Sequence, residues 1–251
     1  MRRIMLFFTA MVLTIIACGP QQETPDTDTV SAPKPVLEQA PLVEDVLTVS
    51  EQAALTPDKV IEMFEAGNER FINNDLTARD HSAQVRKSTS AQFPKAIVLS
   101  CVDSRVPVED VFDRGIGDIF VARVAGNFVN EDILGSMEFA CKVSGSKLIL
   151  VMGHEHCGAI KAAIGKVELG NITPMLTKIQ PAVELVNDYT GEKSADNPEF
   201  VHMVCESNVK NTINEIRKQS PILKEMEEKG EIKIVGAVYD MDLGKVTFLK
   251  E

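Results

Sequence analysis

Three residues of this chain could together bind one metal ion: Cys101, His154 and Cys157. Two thiolates and an imidazole suit Zn²⁺, and three protein ligands leave a fourth tetrahedral position for water. Such an open position distinguishes a catalytic zinc site from a closed structural one. The residue types and their order therefore predict a zinc-dependent hydration or hydrolysis enzyme.

Asp103 and Arg105 follow Cys101 by two and four residues and could assist such a site. A guanidinium group can grip a carboxylate at two points, which keeps Asp103 ionised and oriented. Two thiolates neutralise the metal charge and acidify bound water less than three histidines do, so help in holding hydroxide is needed. Asp103 could accept the proton of zinc-bound hydroxide and orient its oxygen. Alternatively, Asp103 fills the fourth metal position and closes the site, or the pair is a surface salt bridge.

The elements that must position these residues are short apolar runs bounded by turn residues. The runs lie at residues 96–99, 119–122, 148–151 and 232–238, with a further one at 246–249. Apolar runs without alternation are typical of strands covered on both faces, as in a parallel sheet. The last run follows a turn at residues 242–244 and is predicted to be an added edge strand.

Helices are predicted between these strands. Proline preceded by a capping residue indicates a helix start. This pattern occurs at Thr56-Pro57, Thr173-Pro174, Asn197-Pro198 and Ser220-Pro221. Residues 131–143 and 159–164 are also expected to be helical. The alternation predicts an α/β fold, with a central, mostly parallel sheet flanked by helices and an N-terminal helix at about residues 57–73.

The predicted topology brings both parts of the metal site together. Cys101 follows the first strand and His154 the third, although about fifty residues separate them. In open α/β sheets, ligands bind at the carboxyl ends of the strands. We therefore expect Cys101, His154 and Cys157 at one edge of the sheet.

The N-terminal residues resemble an export signal. A basic start and a short apolar run precede Ile15-Ile16-Ala17-Cys18, which is similar to a bacterial lipobox. We expect a signal peptide at residues 1–17, lipidation of Cys18, a disordered tether at 18–54 and a catalytic domain at 55–251. This predicts an exported bacterial lipoprotein anchored to a membrane, facing the periplasm or the cell exterior. The alternative is an ordinary signal peptide or an uncleaved anchor.

Charge and cysteine content narrow the function classes. A net charge of -11 argues against nucleic-acid binding, because phosphate contacts need clustered Lys and Arg.

Export permits disulfides among Cys101, Cys141, Cys157 and Cys205, so two bridges are a formal alternative to a metal site. Cys141 and Cys205 lie in apolar helical runs, where cysteine usually acts as a small hydrophobe.

Several motifs in this order resemble β-class carbonic anhydrases. They are Cys101-Val102-Asp103-Ser104-Arg105, Gly117-Asp118-Ile119-Phe120-Val121-Ala122-Arg123, Ala125-Gly126-Asn127 and Gly153-His154-Glu155-His156-Cys157-Gly158-Ala159. The likeness extends from about residue 56 to residue 248. It implies reversible hydration of CO₂ to bicarbonate and a proton, with one Zn²⁺ per chain on the three ligands and Asp103 and Arg105 as the orienting pair.

The resemblance also implies partners. Active sites in this family form at a dimer interface, so a homodimer or a higher even oligomer is expected. By position, Gln92 matches the residue that donates a hydrogen bond to substrate from across that interface, and Phe120 matches part of the apolar CO₂ pocket. Phe139 occupies a pocket position where many plant-like members have tyrosine. Val98 replaces a tryptophan beside which some members bind inhibitory bicarbonate, so that form of control is not expected.

Other interpretations of the same residues stay open. The zinc site could hydrolyse a CO₂ analogue such as CS₂ or COS, or it could belong to a lipoprotein that binds zinc without catalysis. A third possibility is a Cys101 nucleophile activated by His154, in which Cys157 would have no role. His156, between two ligands, is either a proton shuttle or an exposed loop histidine.

Overall fold

Five strands form one sheet in the computed structural model, which describes residues 41–250. The strands are β1 (Ala96–Ser100), β2 (Ile119–Arg123), β3 (Leu148–His154), β4 (Lys233–Tyr239) and β5 (Val246–Phe248). Their spatial order is β2-β1-β3-β4-β5, with the first four parallel and β5 antiparallel to β4. The predicted mostly parallel sheet and its C-terminal edge strand are confirmed.

Helices cover both faces of the sheet. They are α1 (Val49–Ala53), α2 (Pro57–Ile72), α3 (His81–Ser88), α4 (Val108–Val111), α5 (Glu131–Glu138), a π-helical turn (Phe139–Val143), α6 (Gly158–Ile164), α7 (Ile172–Leu176), α8 (Gln180–Glu184), α9 (Pro198–Gln219) and α10 (Pro221–Glu228). Every residue of β1 and β3 is buried, which explains why their sequences show no polar alternation. One apolar layer lies under α5, α9 and α10, and another lies under α2 and α4.

Three of the four predicted helix starts are correct. The side chains of Thr56, Asn197 and Ser220 accept backbone hydrogen bonds at the starts of α2, α9 and α10. The fourth prediction, at Thr173-Pro174, is wrong, because α7 begins two residues earlier at Ile172. The Thr173 hydroxyl accepts a hydrogen bond from Leu169 N (2.7 Å) in the preceding loop, and so does not cap a helix.

The predicted tether is too long at its C-terminal end. Residues 49–53 form α1, which begins with a capping box between Thr48 and Glu51. Gln52 is buried, and its amide donates to Pro94 O (2.7 Å) and Ser144 O (2.8 Å). The polar composition of this segment suggested that it could bury little surface. Hydrogen bonds to distant backbone carbonyls, which composition does not reveal, attach it to the domain.

The predicted signal peptide, Cys18 and residues 18–40 of the tether lie outside the described residues. Within residues 41–250, none of the helices combines the length and the apolar composition that a membrane span requires.

Candidate metal centre

The structure brings the three predicted ligands together at the carboxyl edge of the sheet. Cys101 directly follows β1, His154 is the last residue of β3, and Cys157 is the N-cap residue of α6. One ligand atom from each lies within 4.8 Å of the other two, and all three residues are buried. The predicted convergence of these three residues at one edge of the sheet is thus confirmed.

The His154 ring is held in the tautomer that suits a metal ligand. Its Nδ1 lies 2.8 Å from the carbonyl oxygen of Glu155. A carbonyl only accepts hydrogen bonds, so Nδ1 carries the proton and Nε2 presents a lone pair. Nε2 is buried and has no hydrogen-bond partner among the described residues. A buried acceptor without a partner is costly, and a metal ion bound to Nε2 would satisfy it.

The two sulfur atoms also fit a metal. Cys101 Sγ and Cys157 Sγ are 4.0 Å apart, too far for a disulfide bond. Two sulfurs bound tetrahedrally to zinc at about 2.3 Å would be separated by about 3.8 Å. The neighbouring Cys157 thiol lowers the pKa of Cys101 to about 4, while Cys101 and burial raise the pKa of Cys157. The first thiolate therefore opposes ionisation of the second, and a bound cation would favour both.

Asp103 and Arg105 form the predicted pair. Arg105 Nε donates to Asp103 Oδ1 (2.9 Å) and Nη2 donates to Oδ2 (2.8 Å), while the Arg105 backbone N–H also donates to Oδ1 (3.0 Å). These hydrogen bonds lower the pKa of Asp103 and keep the carboxylate ionised. Asp103 Oδ2 lies 3.8 Å from His154 Nε2, so the carboxylate borders the metal centre while it stays paired with Arg105.

Two residues that sequence reasoning did not single out support the Cys101 loop. Arg123, at the end of β2, donates to the carbonyl oxygens of Cys101 (2.9 Å) and Val106 (2.5 Å). Gly126 N donates to Cys101 Sγ (3.3 Å). Gly126 has a φ of +86°, and an added Cβ would lie 2.4 Å from Ile179 Cδ1, so glycine is required there. The motifs contained both residues, but only the three-dimensional contacts reveal what they do.

The three predicted pocket residues lie away from the ligands of the same chain. Gln92 is exposed and precedes β1, whereas Cys101 follows β1, so the two residues are at opposite edges of the sheet. Phe120 is aligned with Ile97, four residues before Cys101. The Phe139 ring is half exposed and meets the Phe120 ring edge-on, with centroids 6.1 Å apart.

The remaining cysteines are buried, whereas the loop histidine is exposed. Cys141 and Cys205 are buried free thiols, and burial raises the pKa of each to about 12, which suits small hydrophobic residues. His156 is exposed, with a φ of +55°. Glu155, by contrast, is partly buried, with its carboxylate 3.4 Å from His202 Nδ1.

Comparisons with known proteins agree on one family. The family profile described as "Carbonic anhydrase" matches residues 96–246. Carbonic anhydrase 2 of Mycobacterium tuberculosis is 34% identical over 188 residues, covering 72% of this chain and 87% of the relative. The β-carbonic anhydrase CafA of Aspergillus fumigatus is 26% identical with a TM-score of 0.61, covering 68% and 82% of the two chains. A Coccomyxa β-carbonic anhydrase solved with acetazolamide is 25% identical with a TM-score of 0.59, covering 77% and 83%.

Proposed function

Because the chain belongs to the β-carbonic anhydrase family and is therefore a lyase, we propose that Cys101, His154 and Cys157 hold a zinc ion that serves the reversible hydration of CO₂. The observation that carries this proposal is the buried Nε2 of His154, which has no hydrogen-bond partner within residues 41–250 and lies beside two sulfurs 4.0 Å apart. When bound, zinc supplies an attacking hydroxide by lowering the pKa of a coordinated water.

The residues of the chain would orient that nucleophile by accepting a hydrogen bond from it. Arg105 holds both carboxylate oxygens of Asp103, which fixes the plane of the carboxyl group. Oδ2 faces the metal centre, so it is the atom that accepts a hydrogen bond from the nucleophile and directs an oxygen lone pair toward CO₂. The same pairing argues against a closed site, because Asp103 would have to rotate away from Arg105 to bind the metal.

The alternative interpretations explain fewer of these contacts. A zinc-storage site would have no use for an ionised carboxylate held beside the metal centre by Arg105. A Cys101 nucleophile activated by His154 would leave Cys157 without a role, although its sulfur lies 4.0 Å from that of Cys101. Hydrolysis of CS₂ or COS would use the same ligands and differs only in the access channel.

Stopped-flow CO₂ hydration with the purified full chain tests the proposal, with zinc quantified in the same sample. We expect activity with one zinc per chain. Cys157→Ser should lose zinc and activity together, whereas Cys141→Ser, which alters a thiol away from the site, should retain both. Normal CO₂ hydration by a zinc-free Cys157→Ser protein would exclude this site.

The catalytic pocket is proposed to form between two subunits. The edge strand β2 is only partly buried along its whole length. Phe139, whose ring meets that of Phe120 on β2, is half exposed, and Val143 in the same π-helical turn is exposed. A parallel edge strand presents unpaired backbone groups that a second copy can cover. Since Gln92 is at the edge opposite its own Cys101, it would act on the site of a partner subunit.

Complementation between subunits tests this arrangement. Gln92→Ala and Asp103→Asn chains should each have low activity, but mixed dimers contain one site with both residues intact. After random reassembly of equal amounts, about a quarter of all sites would be complete if Gln92 acts across a twofold interface. Activity that stays at the mean of the two separate variants would place Gln92 in its own subunit or outside catalysis.

Membrane attachment through Cys18 is a separate proposal that rests on the lipobox-like residues 15–18. It predicts that cells incorporate labelled palmitate into the wild-type protein and not into a Cys18→Ala variant. Equal labelling of the two proteins would refute lipidation at this residue.

A further inference from the structure

One face of α9 contacts the backbone of two segments that carry metal ligands. Asn208 Nδ2 donates to the carbonyl oxygen of Gly126 (2.8 Å), and Gly126 N donates in turn to Cys101 Sγ (3.3 Å). One turn earlier on the same helix face, Cys205 Sγ donates to the carbonyl oxygen of His154 (3.3 Å). The helix therefore reaches both halves of the site without supplying a ligand.

We propose that Asn208 is a positioning residue for the metal centre, acting through Gly126 on the Cys101 thiolate. This inference rests on the proposed zinc site. Glycine at a φ of +86° has more conformational freedom than any other residue, so hydrogen bonds on both its N–H and C=O sides are needed to fix its orientation. Cys101 Sγ accepts a hydrogen bond from the Gly126 N–H, and Asn208 Nδ2 donates one to the Gly126 carbonyl oxygen.

The burial of Asn208 supports this role. The residue is only 1% exposed, and a polar side chain so deeply buried is costly unless it has a specific partner. The amide NH₂ must face Gly126, because a carbonyl oxygen cannot donate a hydrogen bond to another carbonyl. The packing leaves little room for adjustment, since a Cβ added to the neighbouring Gly153 would lie 2.8 Å from Cys205 Sγ.

Loss of the Asn208–Gly126 hydrogen bond should change how strongly the Cys101 thiolate donates electrons to a bound metal. An N–H group that points at a thiolate stabilises the sulfur lone pairs and fixes the direction of the sulfur. In Asn208→Leu the Gly126 carbonyl would be buried without a donor, and the Gly126 peptide would turn to recover one. Substitutions of partners outside the ligand shell typically weaken metal binding by about 10- to 100-fold. We expect a loss of that size in the zinc affinity of Asn208→Leu.

Two measurements on the full chain test the inference. Competition with a chelator gives the zinc dissociation constant, and replacing zinc with cobalt gives the energy of the thiolate-to-cobalt charge-transfer band. Asn208→Leu should bind zinc about 10- to 100-fold more weakly. Its cobalt band should move to longer wavelength, because sulfur lone pairs without the N–H hydrogen bond lie higher in energy.

Matched variants separate positioning from general destabilisation. Asn214→Leu makes the same change at an exposed position of α9, and Ile216→Val removes a buried methylene from the same helix. Neither variant should shift the cobalt band. If Asn208→Leu does not fold, Asn208→Asp replaces it, because it keeps the size of the side chain and exchanges the NH₂ donor for an acceptor.

Wild-type zinc affinity and an unshifted band in the Asn208 variant would overturn the inference. Weaker zinc binding with an unshifted band would also overturn it, since a merely structural role produces that result. Failure of the wild-type chain to bind zinc would instead refute the proposed metal centre.

Discussion

Replacing Asp103 with asparagine should leave the fold and the zinc site in place while removing most of the CO₂ hydration activity. The Asp103–Arg105 pair lies at the surface, with the Arg105 side chain 56% exposed, so its loss should cost at most about 1 kcal/mol of stability. For a domain of this size that corresponds to a decrease in Tm of about 2–4 °C.

The activity should fall by far more than this loss of stability explains. A positioned proton acceptor typically contributes about 10²- to 10⁴-fold. This range corresponds to about 3–5 kcal/mol of barrier. The asparagine amide also places an NH₂ group opposite one of the Arg105 donors, so the plane of the side chain is no longer held by two hydrogen bonds.

Stopped-flow CO₂ hydration, zinc analysis and thermal unfolding of the same sample provide the test. Asp110→Asn is the matched control, because Asp110 is an exposed carboxylate on the nearby α4. We expect the control to behave as wild type. Wild-type turnover by zinc-loaded Asp103→Asn would refute the orienting role of this carboxylate.

Two further predictions concern packing and pH. Gly153→Ala should destabilise the protein by about 1–3 kcal/mol, because the new Cβ would lie 2.8 Å from both Cys205 Sγ and Val209 Cγ2. Gly135→Ala, where a Cβ meets no atom within 4 Å, should stabilise α5 by about 0.5–1 kcal/mol. Denaturant unfolding compares the stability of the two variants. Equal effects would contradict the close packing described around Gly153. Burial alone would raise the pKa of Asp113, but hydrogen bonds from Arg79, Thr77 and Arg70 outweigh it and lower the pKa from 3.8 to about 2. Ionised Asp113 therefore stabilises the folded protein by on the order of 2 kcal/mol above about pH 4, and this stabilisation is lost as the pH falls through 2. The free energy of unfolding of Asp113→Asn should accordingly depend less on pH in this range than that of wild type.

The sequence identified the elements whose signals are local. The apolar runs of β1 and β3 predicted buried parallel strands, and the ends of those strands placed Cys101 and His154 at one edge. The Asp-x-Arg spacing after Cys101 is short enough that the pair forms within one loop, so its geometry could also be predicted.

Features that depend on distant contacts were not predicted. The Gly126 carbonyl and the Asn208 side chain that donates to it are 82 residues apart in sequence, and neither residue type by itself indicates a role at a metal centre. The helix at residues 49–53 has a polar sequence, and its attachment depends on Gln52 reaching carbonyls at Pro94 and Ser144. Local composition carries no information about such partners, which is why the predicted tether extended too far.

An anomalous difference map from crystals of the zinc-loaded protein, recorded at the zinc absorption edge, tests the central claim most directly. We predict one peak per chain, bonded to Cys101 Sγ, His154 Nε2 and Cys157 Sγ. A map without a peak between these three atoms, or with the only zinc peak elsewhere on the chain, would contradict the proposed metal centre.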